Sequence, residues 1–194
     1  GFTIGSTAIF YFLHPEDFVL QFQLVPFLIL FAIGLVLFPF QIGSEELIFR
    51  GYLMQGFGNL AHNKWFPLLM TSLIFGLLHM ANPEVDKMGY SILIYYIGTG
   101  LFLGISTLMD EGMELALGFH FANNFIGAVL VTSDWSAFQT HAILKDVSNP
   151  SSLIDVLLPV VVIFPILLVL FARKYQWTNW KEQLTGKINK VNHN

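Results

Sequence analysis

The sequence predicts an all-α membrane protein, a polytopic bundle of transmembrane helices, and three observations carry that prediction. Hydrophobic residues make up 55% of the 194 residues and charged residues only 11%, whereas ordinary soluble domains carry about 25% charged residues. Apolar runs close to the roughly 20 residues that cross a bilayer recur along the chain. No run shows the alternating pattern of barrel strands, so helices, which pair their own backbone groups, are expected.

About five complete spans are expected, preceded by a shortened one. The first residues, GFTIGSTAIFYFL, resemble the end of a further span and lack the features of a signal peptide, so we expect additional spans before Gly1. The predicted complete spans are Phe18–Phe40, Trp65–Ala81, Tyr90–Met109, Met113–Thr132 and Leu153–Ala172. The predicted loops between them are 56–64, 82–89, 110–112 and 133–152. Without internal repeats, a single membrane-embedded domain over 1–194 is expected.

The positive charges predict the orientation of the chain. Five of the nine Lys and Arg residues lie in the tail at 173–194: Arg173, Lys174, Lys181, Lys187 and Lys190. Because positively charged segments stay on the cytoplasmic side, a cytoplasmic C-terminus is expected. The 133–152 loop is then external, and the 56–64 and 110–112 loops are internal.

Composition also excludes several functions. The net charge is −4 and no basic stripe is present, so a nucleic-acid partner is not expected. The chain has no Cys, which excludes disulfides, a thiol nucleophile and thiolate metal sites. Membrane lipid is the expected surrounding.

Strongly polar residues stand within or beside the apolar helices, where charges are costly and usually functional. They form three spaced patterns: EELIFR at 45–50, FGLLH at 75–79 and HFANN at 120–124. Helical residues four apart share a face, so Glu46 and Arg50 can pair while Glu45 points elsewhere. Counting 1.5 Å per residue from the internal turns places Glu45, His79, His120 and Asn124 at similar depths. We therefore expect these four side chains to converge.

Structural roles remain open for each of them at this point. Glu46 and Arg50 can be a purely structural ion pair, and an intramembrane histidine can simply bond to a carbonyl. Asn124 can hold helices together, and Phe75 is expected to pack against the site. Gly98, Gly100 and Gly104 are expected to permit close helix packing. The acidic cluster of Asp110, Glu111 and Glu114 is expected to be a solvated turn at a helix N-terminus.

The converging set can run three kinds of chemistry. As a hydrolase, Glu45 would act as general base on a water that His79 orients, while His120 and Asn124 would stabilise an oxyanion. Alternatively, Glu45, His79 and His120 have the composition of a zinc site that activates water. In a proton-coupled transporter, the same groups would form a relay.

The three patterns resemble, in order and on separate predicted spans, the EExxxR, FxxxH and HxxxN/D motifs of the CPBP family of intramembrane proteases. That family includes type II CAAX prenyl proteases, which are relatives of the Ras-converting enzyme, and bacterial proteins linked to bacteriocin processing and self-protection. The resemblance covers about residues 35–130 and places the protease core at about 35–132.

The resemblance implies an intramembrane endopeptidase that acts on a membrane-associated protein or peptide, a prenylated CAAX-type one among the candidates. It implies that Glu45 activates water, that His79 completes the water site, and that His120 and Asn124 stabilise the oxyanion, with Glu46 and Arg50 in support. Family members have been described both as metal-independent glutamate proteases and as metalloproteases, so zinc is the cofactor to test. A multi-pass protein of a bacterial plasma membrane is expected. The alternatives are a non-enzymatic membrane immunity protein and a proton-coupled transporter.

Overall fold

The computed structural model describes residues 2–149 and 153–188, and over this part the chain is a bundle of membrane helices with a small sheet at one end. The helices are α1 (Phe2–Leu13), α2 (Leu24–Glu46), α3 (Met54–Ala61), α4 (Trp65–Leu78), α5 (Pro83–Met88), α6 (Ile92–Asp110), α7 (Glu114–Leu130), α8 (Leu153–Leu158), α9 (Phe164–Tyr175) and α10 (Trp180–Thr185). Two π-helical segments, Leu47–Leu53 and Pro159–Ile163, join α2 to α3 and α8 to α9. Short 3₁₀ turns cover Pro15–Asp17, His79–Ala81 and Gly89–Ser91.

In the described part, three helical stretches are long and apolar enough to cross a bilayer: Leu24–Ala61, Pro83–Asp110 and Leu153–Tyr175. The predicted spans at Trp65–Ala81 and Met113–Thr132 correspond to helical stretches of 17 residues. Seventeen residues rise about 26 Å, less than the roughly 30 Å hydrocarbon core. The membrane-helix prediction is confirmed, but the number of five complete spans is not.

Several boundaries differ from the sequence prediction. The span expected at Phe18–Phe40 begins only at Leu24, and its helix continues without a break to Ala61, because Glu46 and Arg50, which follow Phe40, pair with each other inside the protein. The predicted 82–89 loop contains helix α5, which Pro83 opens at its first position, where proline's fixed φ suits a helix start. The tail positions 189–194, including Lys190, and the 150–152 part of the predicted loop lie outside the described residues.

Three strands of three residues each form a sheet that was not predicted: β1 (Phe18–Leu20), β2 (Val131–Ser133) and β3 (Leu144–Asp146). β3 lies in the middle, antiparallel to β1 and parallel to β2. Three residues are too few to show a period-two pattern, so these strands carry no recognisable signal in the sequence. The sheet joins the start of α2 to the end of α7 at one face of the bundle.

The tail closes the opposite face of the bundle. Its backbone bonds to the turn before α4, through Gly186 to Lys64 and Ile188 to His62. The Trp177 indole also donates to Asp110 at 3.0 Å. The tail, the turn at 62–64 and the turn at 110–112 therefore lie on the same face.

Helix α6 is the centre of the bundle, since half of its membrane-length segment is buried, against 17% for Leu24–Ala61 and 11% for Leu153–Tyr175. A Cβ on Gly100 would lie 2.9 Å from the Ser72 backbone of α4, and one on Gly98 would lie 2.7 Å from Val160. The predicted close packing at these glycines is confirmed. Aromatic clusters fill the remaining contacts, with Phe38 and Phe125 between α2 and α7 and Phe102 and Phe164 between α6 and α9.

Candidate active site

A polar cavity of about 400 Å³ lies among helices α2, α4, α6 and α7. Its lining includes the four side chains expected to converge: Glu45, His79, His120 and Asn124. The wall also includes residues from the segments near the sheet, such as Glu84 and Phe138. The cavity thus lies toward the face of the sheet rather than the face of the tail.

Glu46 lies beneath this cavity and is held there by two other side chains. Its carboxylate is fully buried, and Oε1 accepts hydrogen bonds from Arg50 at 3.1 Å and from the Nδ1 of His120 at 2.7 Å. The Arg50 guanidinium also donates to the Gly100 carbonyl at 3.0 Å. The Arg50 cation and a second hydrogen-bond donor on one carboxylate offset much of the cost of burying its charge. The predicted Glu46–Arg50 pair is confirmed, and its bond to α6 fixes α2 against the central helix.

Glu45 occupies a different environment although it is the next residue. Its side chain is 28% exposed, and Oε1 accepts a hydrogen bond from Gln41 at 3.2 Å. Its Oε2 lies 3.8 Å from the Nε2 of His120, which is too far for a direct hydrogen bond. The rotation of about 100° between adjacent helical residues therefore separates a buried, paired carboxylate from one that faces the cavity.

The two histidines are oriented through their Nδ1 atoms. In His79, Nδ1 lies 2.7 Å from the Phe75 carbonyl, and a carbonyl only accepts, so Nδ1 carries the proton. In His120, Nδ1 faces the Glu46 carboxylate. Because Nδ1 fixes the orientation of each ring, the Nε2 of each imidazole can take part in a reaction.

Aromatic rings hold His79 in place. The imidazole stacks on Tyr96 with 4.3 Å between ring centroids and lies 4.8 Å from the Phe75 ring. The Tyr96 hydroxyl accepts a hydrogen bond from Asn82 at 3.1 Å. Phe75 also contacts His120 and lies under the Arg50 guanidinium, at 6.0 and 5.0 Å respectively. The predicted packing role of Phe75 is confirmed.

Asn124 contributes a free amide group to the cavity wall. Its Oδ1 lies 3.5 Å from the Nδ2 of Asn123, at the limit of a hydrogen bond. This contact leaves the Asn124 Nδ2 as a donor. Asn124 stands four residues after His120 on α7, so both side chains face the same cavity.

The carboxylate and imidazole groups of the cavity are not arranged as zinc ligands. Within residues 2–149 and 153–188, no three His, Cys, Asp or Glu side chains are placed to hold a metal ion together. The carboxylate and imidazole of Glu45 and His120 face each other, but the placement of His79 does not complete a three-ligand site. The residues as arranged do not fit a zinc site of three protein ligands.

Three features of the wall were missed by sequence reasoning. Tyr96 and Glu84 line the cavity, and Asn82 supports Tyr96. A tyrosine in an apolar span and polar residues in an apparent loop carried no distinctive signal.

The acidic cluster of Asp110, Glu111 and Glu114 lies away from the cavity, as expected. Asp110 accepts a hydrogen bond from the Trp177 indole, and Glu111 accepts one from Gln183.

Comparisons with known proteins agree with the three motifs. A family model described as type II CAAX prenyl endopeptidase Rce1-like matches residues 26–126, just over half of the chain. The uncharacterized protein YyaK of Bacillus subtilis (strain 168) is 36% identical over 136 residues, which are 70% of this chain and 46% of YyaK. The chain thus spans about half the length of this curated relative. No solved structure matches the chain significantly.

Proposed function

We propose, because the chain belongs to the Rce1-like family of type II CAAX prenyl endopeptidases, that it is an intramembrane endopeptidase whose general base is Glu45. One observation carries the proposal. A half-buried carboxylate and the Nε2 of an anchored imidazole face each other 3.8 Å apart in a polar cavity among membrane helices. The two groups do not hydrogen-bond to each other directly, so both can contact a water molecule and a substrate peptide.

The reaction begins with a water that hydrogen-bonds to Glu45 and to the Nε2 of His79. Because the Nδ1 of His79 is protonated toward Phe75, its Nε2 in the neutral ring accepts a hydrogen bond and orients the water. Glu45 takes one proton as the water oxygen bonds to the peptide carbonyl carbon. When the C–N bond of the tetrahedral intermediate breaks, the same proton passes to the leaving amine, and the new carboxylic acid then loses its remaining proton to that amine or to water, which leaves a carboxylate.

His120 and Asn124 stabilise the oxyanion of that intermediate. Since Nδ1 of His120 donates to Glu46, its Nε2 donates to the oxyanion when the ring carries both protons. The Asn124 amide is the second donor on the same helix face. Preorganised donors of this kind contribute about 3–4 kcal/mol each to transition-state stabilisation.

Glu46 and Arg50 support the site without touching the substrate. The Glu46 carboxylate keeps the proton on Nδ1 of His120 and fixes the ring plane. Arg50 neutralises that carboxylate and ties it to α6. Zinc held by Glu45, His79 and His120 is the alternative to be tested, and it would require these three side chains to move closer together than the structure places them.

The proposed substrate is a protein or peptide held at or in the membrane, with prenylated chains among the candidates. A polar cavity within apolar helices suits a peptide bond presented from the bilayer, where bulk water is scarce. The proposed location is a bacterial plasma membrane, with five complete spans in the arrangement predicted above and a cytoplasmic tail.

Replacing Glu45 by Gln tests the proposal. We expect the variant to fold in detergent and to lose cleavage by at least about a hundredfold, since the general base is gone. Mass spectrometry of membranes that contain wild-type or Glu45→Gln protein would show one precursor accumulating with the variant. Glu16→Gln, which changes an exposed carboxylate outside the cavity, is the matched control and should process that precursor normally.

The competing mechanisms give different results. Cleavage at the wild-type rate by Glu45→Gln would remove Glu45 from the reaction. Elemental analysis and activity after chelation test zinc: a stoichiometric metal whose removal stops cleavage would establish the metal mechanism. A biological effect that survives substitution of Glu45 and His79 would favour the immunity protein or the transporter.

A further inference from the structure

The charges on the cavity wall are one-sided. Two carboxylates, Glu45 and Glu84, line the cavity, and among the residues that the structure describes no Lys or Arg does so. The charge of Glu46 beneath the wall is already compensated by Arg50, and His120 lies within hydrogen-bond distance of the same oxygen. Glu45 is occupied by the proposed water chemistry. Glu84 is therefore a second negative charge for which the proposed reaction has no use.

Glu84 is held in place but lacks a cationic partner. Its Oε1 accepts a hydrogen bond from the Ala137 backbone at 2.7 Å. Its Oε2 is buried and makes no hydrogen bond within the described residues. In the same part of the chain, no Lys, Arg or His forms an ion pair with this carboxylate. The Tyr96 hydroxyl is a polar neighbour that interacts with the Glu84 carboxylate, but it brings no positive charge.

Such a buried oxygen calls for an explanation. A carboxylate that lies in a cavity without a cation nearby is stabilised when one arrives. A cationic group that enters the cavity would recover that cost, and a buried charge pair of this kind favours the correct ligand strongly over a neutral one.

The position of Glu84 relates it to the proposed catalytic groups. Tyr96 contacts both sides, since its ring stacks on His79 at 4.3 Å and it is a polar neighbour of Glu84. Glu84 is thus about one tyrosine side chain away from His79. An extended peptide advances about 3.3 Å per residue, so a side chain within about two residues of a bond at His79 would reach Glu84.

We infer that Glu84 is a specificity-determining residue that binds a lysine or arginine side chain of the substrate within about two residues of the scissile bond. This inference rests on the proposed endopeptidase function and deepens it, because it names a chemical feature of the substrate. Anchoring by Ala137 leaves one carboxylate oxygen for the incoming cation, and the aromatic ring of Tyr96 lies beside it.

Binding to the inactive Glu45→Gln protein tests the inference without requiring cleavage. The probes are fluorescein-labelled decapeptides of Leu and Ala with one lysine at successive positions, compared with the same peptides carrying norleucine, in detergent micelles. Fluorescence anisotropy gives the Kd of each. At the best position we expect lysine to bind at least about tenfold more tightly than norleucine.

Substitutions at Glu84 then identify the residue responsible. Added to the Glu45→Gln protein, Glu84→Gln keeps an oxygen for the Ala137 N–H, and we expect the lysine preference to fall below about twofold, since no charge remains to bind the cation. Glu84→Lys should shift the preference to glutamate at that position. Asp86→Asn, an exposed carboxylate on the same helix, is the matched control and should retain the lysine preference. Size-exclusion chromatography and thermal unfolding verify that each variant is folded.

Each remaining outcome is decisive. A lysine preference that persists in Glu84→Gln, or no preference at any position, would overturn the inference. Wild-type cleavage of the same peptides without a Glu84-dependent preference would overturn it while sustaining the endopeptidase. Glu84-dependent binding with no cleavage by the wild type would sustain the cation-binding role of Glu84, but it would overturn its relation to a scissile bond and count against the endopeptidase.

Discussion

Glu45 and Glu46 show how neighbouring residues of the same type acquire different roles. Glu46 is fully buried and shared by Arg50 and His120, whereas Glu45 is partly exposed in the cavity. Their spacing on the helix predicted that only Glu46 could pair with Arg50. The third member of the buried network, His120, comes from 74 residues away, and no local pattern indicates that contact.

Stability should therefore distinguish the two glutamates. Glu46→Gln leaves the Arg50 charge buried and under-compensated, and we expect it to lower the free energy of unfolding by roughly 3–5 kcal/mol. Glu45→Gln should change it by less than about 1 kcal/mol, because Gln keeps an oxygen for Gln41. Thermal or denaturant unfolding in detergent measures both. Equal destabilisation by the two variants would contradict this division.

The two nitrogens of His120 can also be tested separately. The amide nitrogen of Asn can replace Nδ1, so His120→Asn should keep the Glu46 bond and the fold but lose the oxyanion donor, with about 10²–10³-fold slower cleavage. His120→Gln places its amide nearer the position of Nε2, so it should retain more activity and lose more stability. Cleavage rates and melting temperatures are compared side by side. The opposite ordering would show that the donor to the oxyanion is another group.

At the scale of elements, the distance between α4 and α6 sets the geometry of His79. A Cβ on Gly76 would collide with Ile97, and one on Gly100 would lie 2.9 Å from the Ser72 backbone. This close approach lets His79, just after α4, stack on Tyr96 of α6. The glycines of α6 were predicted to permit packing, but which helix they approach follows only from the fold.

Gly76→Ala should separate the two helices. The collision involves the Ile97 backbone as well as its side chain, so we expect a loss of about 1–3 kcal/mol of stability and a fall in cleavage rate. Gly127→Ala on α7 is the control, since a Cβ there meets nothing within 4 Å and alanine favours the helix by up to about 1 kcal/mol. A Gly76→Ala protein with wild-type stability would show that α4 can move freely.

The π-helical segment Leu47–Leu53 is an element that the sequence did not reveal. It begins directly after Glu46 and contains Arg50. Segments of this kind are frequent at functional sites because they change the direction of side chains along a helix. Here the segment continues the α2 helix into α3 while Arg50 still reaches both Glu46 and Gly100.

The whole molecule is adapted to lipid on its outer surface. Large apolar side chains such as Phe40, Leu28 and Ile166 are exposed, an arrangement that would promote aggregation in water. The sheet lies at one end of the bundle and the tail at the other, so each end is covered by an ordered segment of the chain. The cavity lies toward the sheet.

The orientation of the molecule can be measured with single cysteines, because the chain has none of its own. If the positive tail is cytoplasmic, Gln139→Cys should react with a membrane-impermeant maleimide in intact cells. Glu182→Cys, which preserves the tail's lysines, should react only after permeabilisation. The reverse labelling would place the tail outside and turn the cavity toward the cytoplasm.

The amino-acid sequence was enough to predict the membrane class, the helical nature of the spans and the candidate polar residues, because bilayer insertion and helical spacing follow local rules. It predicted the Glu46–Arg50 pair for the same reason, as residues four apart share a face. The tertiary structure decided where the long helix ends, that strands of three residues pair across the chain, and that Tyr96 and Glu84 join the cavity wall. These features depend on contacts between distant segments, whose energies no local pattern encodes. The octet at 44–51 is tolerated near the membrane because α6 and α7 supply the Gly100 carbonyl and the His120 imidazole to its charges.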